Sequence, residues 1–141
     1  MQPTQAAIGA YRSAMMTTPP LQGVVLLYDG ILLHIAQAAQ ANRDSNFERQ
    51  FDEVMKAARI IEGLSRCLDL EAGGTVAANL RDFYETIGRG LMRSTGRNYG
   101  ADFLVQLADS VRRTRNAWAH IAGVPKTGED TNDYGDATAE A

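Results

Sequence analysis

A single cysteine, Cys67, stands in the whole chain, which leaves no internal disulfide framework and no cysteine-based zinc site. Proline is scarce too: Pro3, Pro19, Pro20 and Pro125 are the only four, and all lie outside the long periodic segments. No apolar run approaches the ~18 residues that a membrane span needs. The longest candidate, Val24 to Ile35, is interrupted by Asp29, Gly30 and His34. The opening Met-Gln-Pro-Thr-Gln lacks a basic region followed by an apolar core, so no secretory signal is expected. What is present is an ordinary globular balance, 45% apolar and 22% charged residues over 141 positions, enough for one core and one domain. A cytosolic, helical, single-domain protein is the starting expectation.

Charge is unevenly divided. Residues 1–126 hold all 14 basic groups and 12 acids, a net of +2, whereas residues 127–141 hold five acids (Glu129, Asp130, Asp133, Asp136 and Glu140) and no base. That last stretch cannot bury enough apolar area to offset its ordering entropy, so residues 123–141 are expected to form a disordered acidic tail. Residues 1–5 are expected to be a flexible N-terminus and 6–122 the folded body. The 12 arginines are scattered rather than gathered into a basic stripe with aromatics, which argues against a nucleic-acid partner.

Periodicity reads as helix nearly everywhere, and strand alternation is absent. A short leading helix is expected from about Ala6 to Met16, with Ile8, Tyr11 and Met15 on one face. Thr17-Thr18-Pro19-Pro20 ends it and starts a second helix to about Ala41, with threonine available as N-cap and proline in the first turn. A third runs from about Phe47 to Leu68, where Phe47, Phe51, Val54, Ala58, Ile61, Ser65 and Leu68 step alternately by four and three, the spacing of a bundle seam. Leu70-Glu71-Ala72-Gly73-Gly74 breaks the chain, with Gly73-Gly74 as C-cap and turn. A fourth helix spans about Thr75 to Ser94, and a fifth, after Asn98-Tyr99-Gly100, carries Leu104, Leu107, Val111, Thr114, Trp118 and Ile121 inward. The fold class is therefore all-α: an antiparallel four-helix bundle with a short additional N-terminal helix.

The second helix breaks the amphipathic rule. Its inward stripe is Leu21, Val25, Tyr28, Leu32, Ile35 and Ala39, yet Val24, Leu26, Leu27, Ile31 and Leu33 remain apolar on other sides. A helix apolar nearly all round is normally buried. Either residues 6–16 cover the surplus, as a movable lid or a fixed one, or a partner does.

Sites for chemistry are not convincing. A carboxylate-bridged metal pair needs Glu-x-x-His from two helices, and neither His34 nor His120 has a glutamate three residues upstream. His34 reads as a hydrogen-bonded packing histidine and Cys67 as a small packing residue. Asp52 with Lys56, and Glu62 with Arg66, read as solvated pairs four residues apart. No catalytic residue, metal site or cofactor is expected. One pattern merits weighing: Arg115-Asn116-Ala117-Trp118-Ala119-His120 fits Arg-x4-His and resembles the helical HEPN ribonucleases, in which the arginine stabilises phosphate charge and the histidine moves protons. That gives an alternative reading with Arg115 and His120 as the working pair.

The order of segments carries a more specific likeness. Ala10-Tyr11 comes first, then Thr18-Pro19-Pro20-Leu21, Leu26-Leu27-Tyr28-Asp29-Gly30-Ile31, Leu68-Asp69-Leu70-Glu71-Ala72-Gly73-Gly74, Ala77-Ala78-Asn79-Leu80 with Phe83-Tyr84, and Trp118 in the last helix. Over about residues 8–122 this resembles the FliS family of flagellar secretion chaperones. The doubled Pro19-Pro20, and Gly88 and Gly90 inside the fourth helix, depart from the usual pattern. The resemblance implies a cytoplasmic export chaperone without turnover. Its partners would be the C-terminal segment of flagellin, kept from premature polymerisation, and the flagellar export apparatus, with neither nucleic acid nor membrane insertion involved. Partner-binding residues expected on this basis are Ile8, Tyr11, Leu21, Val24, Leu27, Tyr28, Gly30 and Ile31, Tyr11 matching the family's characteristic tyrosine.

Overall fold

The computed structural model describes Gly9, residues 21–96 and residues 98–127. Among these the chain is all-helical and has no β-strand: α1 (Leu21–Arg43), α2 (Phe47–Arg66), α3 (Leu70–Arg93) and α4 (Ala101–Ala122). The leading helix expected over 6–16 lies, apart from Gly9, outside the described residues.

Local chemistry sets the helix ends. Asn46 caps α2 by accepting from the Arg49 amide at 3.2 Å, and Asp69 caps α3 by accepting from the Glu71 and Ala72 amides at 3.1 and 2.9 Å. Gly100 has no side chain with which to cap α4. Asn42, at the end of α1, supplies the missing acceptor to the Ala101 amide at 3.0 Å. Gly123 closes α4 in the left-handed region, at φ 74°. The break expected over residues 70–74 shrinks to one residue: 70–73 already form helical turns, and the chain kinks at Gly74 (φ 55°, ψ −132°), a conformation that a side chain would strain.

α1 packs against both α2 and α4, and α3 against both of these. With a mean hydropathy of 1.4 over 18 residues, α1 has the length and apolarity of a membrane span, the composition that a core helix with two packed faces also requires. Its buried set is wider than the expected stripe. Val24 and Ile31, read as surplus, are as buried as Val25, Tyr28 and Ile35, whereas Leu32 is only half-buried. At the centre Tyr28 and Tyr84 share a hydroxyl hydrogen bond of 2.6 Å, and Trp118 Nε1 donates to the Tyr28 oxygen at 3.2 Å. This ties α1, α3 and α4 at one buried point. Gly90 sits where a Cβ would lie 2.6 Å from Leu107 Cδ2. That close approach of α3 to α4 explains a glycine which otherwise costs about 1 kcal/mol of helix propensity.

Several inward assignments need correction. Phe47 and Phe51 do not continue the α2 seam but are 62% and 49% exposed, while Gln50 and Glu53 are buried. Polar partners on other helices claim those inward places: Gln50 donates to the Ser94 carbonyl at 3.0 Å and accepts from Asn42 at 3.1 Å. Lys56 meets Glu53 at 3.4 Å rather than Asp52; the Glu62–Arg66 pair forms as expected. In α4, Leu104, Leu107, Val111 and Trp118 are buried, with Thr114 and Ile121 half-buried. Cys67, expected as a packing residue, is exposed at the C-cap of α2.

Candidate functional site

The outward face of α1 is built from steps of four and three: Gln22, Leu26, Asp29, Leu33, Ala36 and Gln40. Leu26 is 68% exposed and Leu33 54%, and Leu27, one position round, is 46% exposed. Single exposed aliphatics are ordinary, but three leucines within two turns of one helix make a patch that the described residues leave uncovered. Of the residues expected to bind a partner, Leu27 is the one at the surface. Leu21, Val24, Tyr28 and Ile31 are buried. Gly30 faces α2, where a Cβ would stand 3.2 Å from Ile60 Cδ1. Ile8 and Tyr11 lie outside the described residues.

A histidine–carboxylate hydrogen bond and an arginine–carboxylate ion pair hold α1 to its neighbours at this face. Toward α2, His34 Nδ1 donates to Glu53 Oε2 at 2.7 Å, so the histidine is the hydrogen-bonded packing residue that its context suggested. Burial alone would raise the Glu53 carboxyl. The His34 hydrogen bond and then the Lys56 charge outweigh it and hold the group below its ordinary value. Toward α4, Asp29 accepts from Arg115 Nε at 2.8 Å and from Nη2 at 3.3 Å, a two-pronged contact between residues 86 positions apart. Neither Asp29 nor Arg115 was paired in the sequence. The available signal was an acid inside a nearly uncharged apolar helix, and an arginine three positions before a core tryptophan.

That engagement decides the Arg-x4-His pattern. Arg115 is 4% exposed, and every guanidinium nitrogen is used: Nε and Nη2 on Asp29, Nη1 on Asn116 Oδ1 at 3.1 Å and on the Pro125 carbonyl at 2.6 Å. His120 Nε2 is buried and meets no hydrogen-bond partner among the described residues. Burial, with Lys126 adding like charge, pushes its pKa down. The pair is a structural arginine committed to other partners and a half-buried histidine whose neutral form is favoured, rather than an acid–base couple. No group of three or more potential metal ligands exists among the described residues.

A second exposed apolar region lies at the end of the molecule where α1 meets α2 and α3 meets α4. Phe47, Phe51 and Tyr99 wall a cleft of about 600 Å³ over Asn42 and Gln50, and Tyr99 packs on Phe103 with ring centres 4.6 Å apart. The periodicity had placed both phenylalanines inside.

Comparison with known proteins agrees with the order of motifs. The family described as flagellar protein FliS matches residues 3–125. The flagellar secretion chaperone FliS of Salmonella typhimurium (strain LT2) is 29% identical over 125 residues, 84% of this chain and 92% of the relative. That of Escherichia coli (strain K12) is 31% identical over 114 residues, 80% and 82% of the two chains. That of Bacillus subtilis (strain 168) is 27% identical over 107 residues, 76% and 78%. These are chaperones rather than enzymes, which overturns the ribonuclease alternative together with the geometry of Arg115 and His120. With a match across nearly the whole helical body, the chain belongs to the FliS family of flagellar secretion chaperones.

Proposed function

We propose that this chaperone binds the C-terminal segment of a flagellin in the cytoplasm, prevents its premature polymerisation and hands it to the flagellar export apparatus. The observation that carries the reading is the outward stripe of α1, where Leu26 and Leu33 stand exposed on the most apolar of the four described helices. A client that is unstructured alone and helical when docked buries apolar side chains against such a stripe. Ordering the client uses part of the contact energy, which keeps release to the export apparatus possible.

The reading takes the four helices as an antiparallel bundle with a short additional helix near the N-terminus, residues 6–122 as the chaperone body, and residues 1–5 and 123–141 as appendages. Ile8 and Tyr11 then act beside Leu21, Val24, Leu27, Tyr28, Gly30 and Ile31, the buried members of that set shaping the groove and Leu27 contacting the client. If residues 6–16 cover the groove, deleting them tightens binding; if Tyr11 contacts the client, Tyr11→Ala weakens it. The decisive experiment mixes the protein with full-length flagellin and with flagellin lacking its C-terminal segment. A 1:1 co-eluting species is expected on size-exclusion chromatography with the first and not with the second. Co-elution that survives the deletion overturns the reading.

A further inference from the structure

Residues 124–127, just beyond α4, stay against the helices. Arg115 Nη1 donates to the Pro125 carbonyl at 2.6 Å, and Asn116 Nδ2 donates to the Thr127 carbonyl at 2.8 Å. The Thr127 amide in turn donates to Asn116 Oδ1 at 3.1 Å. Both clamp side chains are deeply buried, Arg115 at 4% and Asn116 at 1% exposure, and Asp29 fixes the guanidinium from α1. All three bonds go to main-chain atoms of the strap. These three bonds involve no strap side chain, so the main chain of another extended polypeptide can make the same three.

We propose that Asp29, Arg115 and Asn116 form a main-chain-binding clamp, occupied here in cis by residues 125–127, and that an extended stretch of the bound client takes the clamp and displaces the strap. This rests on the client reading above. Three observations carry it. Residues 125–127 lie outside the helices and are held to α4 at Pro125 and Thr127, so this stretch opens locally without unfolding the helices. Opening takes three hydrogen bonds from buried side chains, and such groups strongly favour a replacement partner that restores them. The clamp is also contiguous with the candidate client surface, because Asp29 lies between the exposed Leu26 and Leu33 on the outward face of α1.

Hydrogen exchange at the Thr127 amide of the full chain tests the exchange, measured alone and saturated with the flagellin C-terminal segment, with complex formation checked by co-elution of the same sample. Protection of that amide is expected to fall by about tenfold or more in the complex, as its bond to Asn116 is given up. A complex in which protection is unchanged or rises makes the strap a fixed latch and overturns the proposal. Absence of any complex overturns the client reading and the exchange with it. A second variant, Thr127→Pro, removes one strap donor and leaves the clamp intact. Client affinity is expected to rise roughly two- to tenfold, the worth of one neutral hydrogen bond in the competing strap. Unchanged or weakened binding in Thr127→Pro, with a normal helical spectrum, counts against the exchange.

Discussion

Two adjacent helices of similar length, α1 with 23 residues and α2 with 20, meet water in opposite ways. α2 buries Val54, Ala57, Ile61 and Leu64 and turns Glu48, Asp52, Arg59, Glu62 and Arg66 outward. Beyond its first turns, where Phe47 and Phe51 are exposed, it is an amphipathic surface helix with a charged outer side. α1 buries two faces and still carries leucines on its third. Its charged residues are Asp29 and Arg43, and Asp29 is already committed to Arg115. Packing explains the buried faces of α1, because α2 and α4 cover them. Packing among the described residues does not explain the third face, which is left for residues 6–16 or a partner to cover.

The largest effect comes from breaking what α1 shares with the rest of the core. Trp118 is fully buried and donates to Tyr28 on α1. Trp118→Ala is expected to cost about 3–5 kcal/mol, the range for deleting a large buried aromatic. Urea titration followed by circular dichroism should show the midpoint falling sharply. A loss under 1 kcal/mol would mean that the apparent junction of α1, α3 and α4 contributes little.

Next in size is the polar contact that joins the two compared helices. Glu53 is 5% exposed and serves His34 and Lys56, so Glu53→Ala is expected to cost about 1–3 kcal/mol. The sign of its pH dependence follows from the lowered folded-state value. The contribution is fully present above the ordinary glutamate value of 4.5 and is lost as pH falls through the depressed folded value. His120 adds a separate loss at higher pH. Its folded-state value lies below the ordinary 6.5, so protonation favours the unfolded chain as pH drops below 6.5. Thermal melts across pH 3–8 should show both declines, and Glu53→Gln should remove the more acidic one alone.

The four helices were legible because their breaks use local signals, the loop before Phe47, the glycines at 73–74 and Asn98-Tyr99-Gly100, while the Asp69 cap and the helical turns of 70–73 before the Gly74 kink emerged only in the fold. The apolar excess of α1 was legible for the same reason, being a property of one helix. Features that depend on partners far along the chain were not. Phe47 and Phe51 have seam spacing, but Gln50 and Glu53 take the inward places through Asn42, Ser94 and His34, which no periodicity announces. Asp29 and Arg115, 86 positions apart, read as an interruption and as half of a ribonuclease motif. Only the fold shows that they neutralise each other.

Glycines sharpen the comparison from the α2 side. Gly63 is helical and exposed, and a Cβ there meets nothing within 4 Å. Gly63→Ala is expected to stabilise by about 0.5–1 kcal/mol through reduced chain entropy and better helix propensity. Client binding should be unchanged, because Gly63 lies on α2 away from the exposed leucines of α1 and a Cβ there meets no neighbour. On α3, Gly90→Ala should do the reverse: Leu107 must give way to a Cβ at 2.6 Å, so a net loss of about 1–2 kcal/mol is expected despite the propensity gain. Matching signs for the two variants in denaturant titrations would contradict the close α3–α4 approach.

The smallest effect on the fold bears most directly on α1's third face. Leu26→Gln with Leu33→Gln replaces two side chains that are 68% and 54% exposed, so their loss opens no cavity. Surface changes of this kind shift stability by about 0.5 kcal/mol or less. Binding should respond differently. Fully burying a leucine is worth about 1.5–3 kcal/mol, and roughly half of that area remains for a client to cover. The pair should then contribute about 2 kcal/mol, close to a thirtyfold loss of affinity for the flagellin C-terminal segment. Calorimetric titration of that segment into the double variant, beside Arg59→Gln with Glu62→Gln on the outward face of α2, makes the comparison quantitative. Equal affinity in both double variants would mean that the exposed leucines of α1 are as idle toward the client as the charges of α2. A melting temperature that falls with the leucine pair would instead show that the stripe packs within the chain itself.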